Sequence, residues 1–311
     1  MQWRRGKVIT RDFLMNADCK TAFGAIEESL LWSAEQRAAS LAATLACRPD
    51  EGPVWIFGYG SLMWNPALEF TESCTGTLVG WHRAFCLRLT AGRGTAHQPG
   101  RMLALKEGGR TTGVAYRLPE ETLEQELTLL WKREMITGCY LPTWCQLDLD
   151  DGRTVNAIVF IMDPRHPEYE SDTRAQVIAP LIAAASGPLG TNAQYLFSLE
   201  QELIKLGMQD DGLNDLLVSV KKLLAEARFA AGRIRQLLDG GYPVTGEDGA
   251  LRPCRPEDIV ILMRSPGSRK AAYAQALADW DIPCSFEESG DFFHTMEISV
   301  VMGLLEIIDN P

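Results

Sequence analysis

The chain has 311 residues, enough for about two domains. Hydrophobic residues make up 46% and charged residues 23%, ordinary globular usage that excludes a largely disordered chain. The net charge is −11, and neither the stretch up to Glu226 nor the remainder is basic, which argues against a nucleic-acid partner held through phosphate contacts.

No apolar run approaches the ~20 residues of a membrane helix. The basic N-terminus is followed by Asp12, Asn16, Asp18 and Lys20, so no signal-peptide core forms, and residues 1–20 read as an irregular arm. A helix is predicted over 21–46, rich in Ala, Leu and Glu, and the Pro/Gly cluster at 49–53 breaks it. Val54-Trp55-Ile56-Phe57 is a short buried-strand pattern that runs into Gly58-Tyr59-Gly60. Short strands are expected at 77–79, 84–89, 102–105, 113–116, 145–149 and 155–161, punctuated by Glu107-Gly108-Gly109 and Asp150-Asp151-Gly152. One helix interrupts them over 120–137, with Gly138 as its C-cap. Helices follow at 173–185, 192–206 and 213–238. After Gly240-Gly241-Tyr242-Pro243 comes a β-α-β pattern, with strands at 258–263 and 282–286 around a helix at 268–280, and then a last apolar helix over 296–308.

Eight cysteines are scattered with no C-x-x-C, and the four histidines fall at no zinc-ligand spacing. The simplest account is a reduced, cytoplasmic protein with no metal and no cofactor, whose cysteines serve mostly as small core residues.

The loop Gly58-Tyr59-Gly60-Ser61-Leu62 matches none of three phosphate or nucleophile motifs. A dinucleotide fingerprint fails at Met63, a nucleophile elbow around Ser61 lacks both flanking glycines, and no Walker string occurs in the chain. What remains is a loop with two glycines and a hydroxyl. Glycine permits positive φ and close approach of a ligand to the backbone, and successive N–H groups can hold a carboxylate. A plain turn at a strand end accounts for the same residues.

The helix at 120–137 is more pointed. Its apolar stripe is Leu123, Leu127 and Leu130, at i, i+4 and i+7, and Glu134 falls on the same stripe at i+11. A carboxylate facing the core loses hydration, which raises its pKa and suits it to proton transfer near neutral pH. A last-turn glutamate that reaches water, or one paired with Lys132 or Arg133, is the structural alternative, although adjacent helical residues do not face each other.

The run from Val54 to Trp64 resembles the signature of the ChaC-like γ-glutamylcyclotransferases. The resemblance continues through Pro99-Gly100-Arg101, Gly113-Val114-Ala115-Tyr116-Arg117-Leu118-Pro119, Trp131-Lys132-Arg133-Glu134-Met135 and Asn192-Ala193-Gln194-Tyr195-Leu196, over residues 8–226. It implies an α+β fold with a small β-barrel and surrounding helices, and a catalytic domain over 1–226. It also implies cleavage of glutathione to 5-oxoproline and cysteinylglycine. Glu134 matches the family's general acid/base. Ile56, Phe57, Gly58, Tyr59, Gly60, Ser61 and Leu62 match the loop that holds the γ-glutamyl group. Tyr195 is a further candidate for the substrate, with a core tyrosine as its alternative. Arg93 and Arg101 flank a Gly/Pro-rich stretch and are candidates for the glycine carboxylate, or else ordinary surface charge.

The remainder, 227–311, carries Arg233-Ile234-Arg235-Gln236-Leu237-Leu238-Asp239 and Pro256-Glu257-Asp258-Ile259-Val260-Ile261-Leu262-Met263. It is similar to part of the C-terminal motor region of AddA-type helicase–nuclease subunits, so the chain reads as a chimera with a partial α/β helicase-like fragment. The Walker motif and nuclease domain of that family are absent from the sequence. Competing readings are a DNA-repair accessory fragment without ATPase activity and a catalytically silent γ-glutamyl peptide binder. The apolar helix at 296–308 is a candidate surface for self-association.

Overall fold

A computed structural model describes residues 9–16, 26–263 and 269–286. Its centre is a closed five-stranded barrel of β1 (Trp55–Gly58), β2 (Glu72–Leu89), β3 (Gly100–Arg117), β4 (Tyr140–Leu149) and β5 (Thr154–Met162), in the order β1-β3-β2-β4-β5. Neighbours run antiparallel, and the parallel pairing of Trp55 and Ile56 with Ala157 and Ile158 closes the ring. Successive residues feed opposite sides, as the period of two requires. Phe57, Phe85, Leu105 and Val159 join one apolar cluster, while Ile56, Cys86, Ala104 and Ile158 join the other.

The four short strands expected between 77 and 116 are two strands of 18 residues each. The glycines that suggested breaks sit inside the pairing instead. Gly80, at φ +89°, falls where the β2–β3 register shifts between Val79 and Trp81, and Gly108 and Gly109 also have positive φ. A bulge at a left-handed glycine bends a ladder without ending it.

Helices cover the barrel on two sides. On one side lie α1 (Arg11–Met15), α2 (Ala34–Ala46) and α3 (Leu123–Glu134). The arm expected to be irregular therefore contains a short helix, capped by the Thr10 side chain. The helix predicted over 21–46 begins only at Ala34, where Ser33 and Gln36 form a reciprocal capping box; residues 17–25 lie outside the described part. The helix predicted over 120–137 ends at Glu134, so Gly138 is not its cap. Gly138 instead takes φ +67° in the turn before β4, packed so closely against Trp32 that a Cβ would collide with the ring.

On the other side lie α4 (Ala175–Ala184), α5 (Asn192–Lys205) and α6 (Asp211–Asp239), with the short pair β6 (Ser186–Gly187) and β7 (Gly190–Thr191) between α4 and α5. These three helices follow the sequence closely. Helix α6 runs uninterrupted past Glu226, and its residues Ala227, Ala231 and Ile234 start a third apolar cluster. That cluster is completed by Ala276 and Leu277 of α7 (Lys270–Ala278) and by Ile282. A hairpin, β8 (Pro243–Thr245) with β9 (Leu251–Pro253), lies between α6 and α7.

The β-α-β unit expected here does not form among the described residues. Residues 256–258 make a 3-10 turn, and 259–263 and 282–286 have no regular structure. The apolar run expected as a strand of that unit leaves Val260 75% and Leu262 90% exposed. The physical reason is a missing partner, since β8 and β9 pair only with each other among the described residues. The helix expected at 296–308 lies outside the described residues. Among those described, no helix is long and apolar enough to cross a membrane.

Candidate active site

A cleft of about 170 Å³ opens between the loop after β1 and the C-terminal end of α3. The loop is built from behind. Tyr59 donates its hydroxyl to the Phe160 carbonyl at 2.6 Å, and Tyr116 donates to the carbonyls of Leu62 and Met63 at 3.0 and 3.2 Å. The buried Arg83 gives its Nε to the Tyr59 carbonyl at 2.7 Å and is neutralised by Asp210 at 2.9 Å. The loop's carbonyls are thus drawn to protein donors. A trans peptide sets the following N–H on the opposite side, so the Gly60 N–H faces away from Arg83.

Neither Gly58 nor Gly60 uses positive φ; Gly60 sits at φ −132°. The glycines are needed for space. A Cβ on Gly60 would stand 3.0 Å from the Tyr195 hydroxyl and 3.3 Å from Leu103, and one on Gly58 would stand 3.0 Å from the Leu62 Cβ. Ser61 opens a one-turn 3-10 helix, and its hydroxyl accepts from Arg133 at 3.0 Å.

Glu134 is the last residue of α3, and its side chain retains 16% exposure at the cleft. The stripe that predicted its direction holds, for Leu127 and Leu130 are fully buried on the same face. Arg133 lies 2.9 Å from the Glu134 carboxylate, although adjacent helical residues ordinarily diverge. The helix ends here, with Met135 at φ −102° and ψ 35°, and Arg133 is anchored on the carbonyls of Asn65 and Pro66 at 2.5 and 3.0 Å. Burial raises the Glu134 pKa, and the Arg133 charge and hydrogen bond oppose it without cancelling it.

Tyr195, on α5, is 4% exposed and lines the cleft, edge-on to Trp64 and Phe85. Burial pushes its phenol well up, and the Glu134 charge adds to that. Arg93, Arg133 and the Ser61 backbone pull the other way. Arg93 lines the cleft, donates to the Thr191 carbonyl at 3.0 Å and forms no ion pair with a described residue. Burial lowers its pKa.

The ChaC-like protein family matches residues 54–223, more than half of the chain. The chain belongs to that family. Over 228 residues it is 97% identical to the glutathione-specific gamma-glutamylcyclotransferase of Escherichia coli strain K12, covering 73% of this chain and 98% of that protein. It is 34% identical over 182 residues to glutathione-specific gamma-glutamylcyclotransferase 1 of Rattus norvegicus, covering 56% of this chain and 82% of the relative. The crystal structure of the yeast glutathione-specific enzyme shares the fold, with TM-score 0.51 and 24% identity, over 55% of this chain and 97% of that one.

The ChaC-like fold brings together Tyr59, Gly60, Ser61, Leu62, Arg93, Glu134 and Tyr195 along one cleft. Ile56, Phe57 and Gly58 do not line it; Ile56 and Phe57 are fully buried strand residues beneath the loop. Arg101 is not brought there either. It is 7% exposed, its guanidinium lies 3.3 Å from Glu170, and its backbone is clamped on both sides by the buried Asn192 side chain. Its strand register points it away, which a Gly/Pro-rich flank in the sequence does not reveal.

Among the polar cleft residues that the sequence did not point to are Arg88, Tyr140 and Glu168. Burial raises the Glu168 pKa, and Thr137 donates to its carboxylate at 3.1 Å. Arg88 lies within the predicted strand at 84–89, whereas Tyr140 precedes the strand expected at 145–149 and is brought in because β4 begins five residues earlier, at Tyr140; only strand register points both at the cleft. The neighbouring Cys139 thiol is pushed up to about 12 by burial, so it stays protonated and unreactive.

Proposed function

We infer that this ChaC-like chain cyclises the γ-glutamyl group of glutathione to 5-oxoproline and releases cysteinylglycine. The observation that carries this is the 97% identity to the Escherichia coli enzyme across 98% of its length. The chemistry suits the cleft. The nucleophile is the substrate's own α-amine and the electrophile its γ-carbonyl, so both are already tethered. Well-oriented intramolecular reactions reach effective molarities of about 10⁵–10⁸ M. The enzyme then needs to hold one conformer, move protons from the attacking to the leaving nitrogen and accommodate charge on oxygen.

Glu134 takes a proton from the α-ammonium and gives it to the departing cysteine nitrogen, then takes the second proton from the ring nitrogen as the lactam forms and passes it to the released amine, which leaves as an ammonium. Its raised pKa brings it closer to neutrality and makes it both a competent base and, once protonated, a competent acid. The loop from Tyr59 to Leu62 holds the γ-glutamyl end, with the Gly60 N–H among its donors, and Ile56, Phe57 and Gly58 support it from the barrel. Tyr195 orders that loop through Ser61 and contributes a hydroxyl to the substrate wall. Arg93, with no carboxylate partner of its own, takes a substrate carboxylate. Arg101 has no part in this reading, because Glu170 and Asn192 occupy it. A DNA-repair accessory or a silent binder has no use for a glutamate kept desolvated at a cleft.

The catalytic unit is residues 1–226, and the reaction belongs to the cytoplasm, where glutathione is reduced and the free cysteines of this chain are at home. Residues 227–311 are a passenger of helicase-like sequence. The support for that is the motif resemblance around 233–243 and 256–265, together with the absence from the cleft of any described residue beyond Tyr195.

Glu134→Gln tests the core of this reading. The amide keeps the volume but cannot accept the ammonium proton, so 5-oxoproline release from glutathione falls by about 10²–10⁴-fold. In the unmutated protein the acidic limb of kcat/KM lies above the ordinary carboxylate value, because Glu134 must be ionised to act and burial has raised its pKa. Near-normal turnover in the Gln variant sinks the assignment.

A further inference from the structure

Three phenols surround Glu134, and they differ in what their hydroxyls do. Tyr59 gives its proton to the Phe160 carbonyl. Tyr195 sets its hydroxyl beside Gly60 and has no acceptor for its proton among the described residues. Tyr140 is 8% exposed, lines the cleft and has no hydrogen-bond acceptor for its hydroxyl among the described residues. Its backbone is fixed as the first residue of β4, opposite Met162, six residues beyond Glu134. Its ring packs edge-on against Phe160, with centroids 6.1 Å apart. A phenol this buried normally finds a partner within the protein.

The loop is short of donors for everything the reaction asks of it. The Met63 N–H is directed at the Gly60 carbonyl and the Asn65 N–H at the Ser61 carbonyl. The Gly60 and Leu62 N–H groups remain for the γ-glutamyl end of the substrate, and a hydroxyl across the cleft can supply a further donor for the oxyanion.

We propose that Tyr140 is a catalytic residue of the cyclisation, its hydroxyl donating a hydrogen bond to the substrate's γ-carbonyl oxygen as that oxygen becomes anionic. The proposal rests on the cyclotransferase reading above and deepens it. The amine lone pair forms the new C–N bond, and the carbonyl π pair moves onto oxygen, where Tyr140 receives it. That pair then re-forms the carbonyl, the bond to the cysteine nitrogen breaks, the leaving nitrogen takes a proton from Glu134, and the ring nitrogen gives its extra proton to the freed Glu134 carboxylate, from which it passes to the released amine. The Tyr140 proton stays on the phenol throughout. Burial, reinforced by Tyr59, Cys139 and Glu134, keeps that phenol protonated far above neutral pH, so it acts as a donor and not as an acid.

Tyr140→Phe in the full chain is the test. The ring against Phe160 is kept and only an unpartnered hydroxyl is removed, so the melting temperature holds. The expected result is a fall in kcat for glutathione of about 10²–10³-fold with KM little changed, the loss that follows removal of one oxyanion donor. A kcat within about tenfold of the unmutated protein overturns the proposal, and so does a rise in KM at unchanged kcat, which would mark a ground-state contact only. A kcat loss that tracks a lowered melting temperature also overturns it. If the unmutated protein forms no 5-oxoproline, the cyclotransferase reading falls and Tyr140 falls with it. If the unmutated protein turns over and the Phe variant is equally fast, Tyr140 alone is wrong.

Discussion

The barrel region and the region beyond Glu226 are held together in different ways. Around the cleft, buried charges meet dedicated partners. Arg83 joins the loop carbonyl to Asp210 at the start of α6, and Arg11 meets the fully buried Glu126 of α3 through two bonds of 2.5 and 2.6 Å. Arg133 ties Glu134 to the loop that follows Ser61. Beyond Glu226 the described residues have a core of three alanines, Ile234, Leu277 and Ile282, and ion pairs on the surface, such as Arg252 with Asp258. Large apolar side chains there face water, among them Leu251 at 74% and Leu262 at 90% exposure. A buried charge tolerates only the arrangement that supplies its partner, whereas a small apolar core accepts many packings at similar cost. The first construction holds the polar groups of the cleft in fixed positions. The second gives a surface helix something to rest on.

The largest effect that separates the two regions is expected at Arg83. Arg83→Met removes the partner of Asp210 and a donor to Tyr59 while filling most of the volume. Breaking a buried pair costs about 3–5 kcal/mol, so denaturant unfolding shifts strongly and glutathione turnover drops as the loop loses its brace. A stable and fully active Met variant would show that the apolar core alone fixes the loop.

Truncation has a smaller and more selective effect. A chain ending at Glu226 keeps kcat and KM for glutathione, because no cleft residue is lost. Its melting temperature falls modestly, since α7 packs on α4 and α6 and its Ala272 enters the main apolar cluster. If the shortened chain folds by circular dichroism yet loses activity, the C-terminal region shapes the site and the passenger reading must go.

At the small end stands Arg252→Ala. The pair with Asp258 is solvent-exposed, and such pairs contribute little once side-chain entropy and screening are counted. Melting temperature and turnover should both be unchanged. A clear destabilisation would mean that the hairpin region has more structure to lose than its small core suggests.

The sequence by itself determined the strand that leads into the glycine loop, the three helices after residue 173 and the direction of Glu134. These are local matters. A stripe at i, i+4, i+7 and i+11 fixes which face of a helix is apolar, and whatever sits on that stripe goes inward with it. It could not show that glycines at 80, 108 and 109 bend a ladder instead of ending it, because a bulge and a turn use the same residue. It suggested a strand at 258–263 that does not form, because an apolar run says nothing about whether a neighbouring strand exists to pair with it. Arg101 and Tyr140 carried no distinguishing signal. Strand register turned one toward Glu170 and set the other beside Glu134. Register is decided by pairing between residues far apart in the chain, so only the tertiary structure could assign the polar side chains that surround the carboxylate which the sequence had already pointed inward.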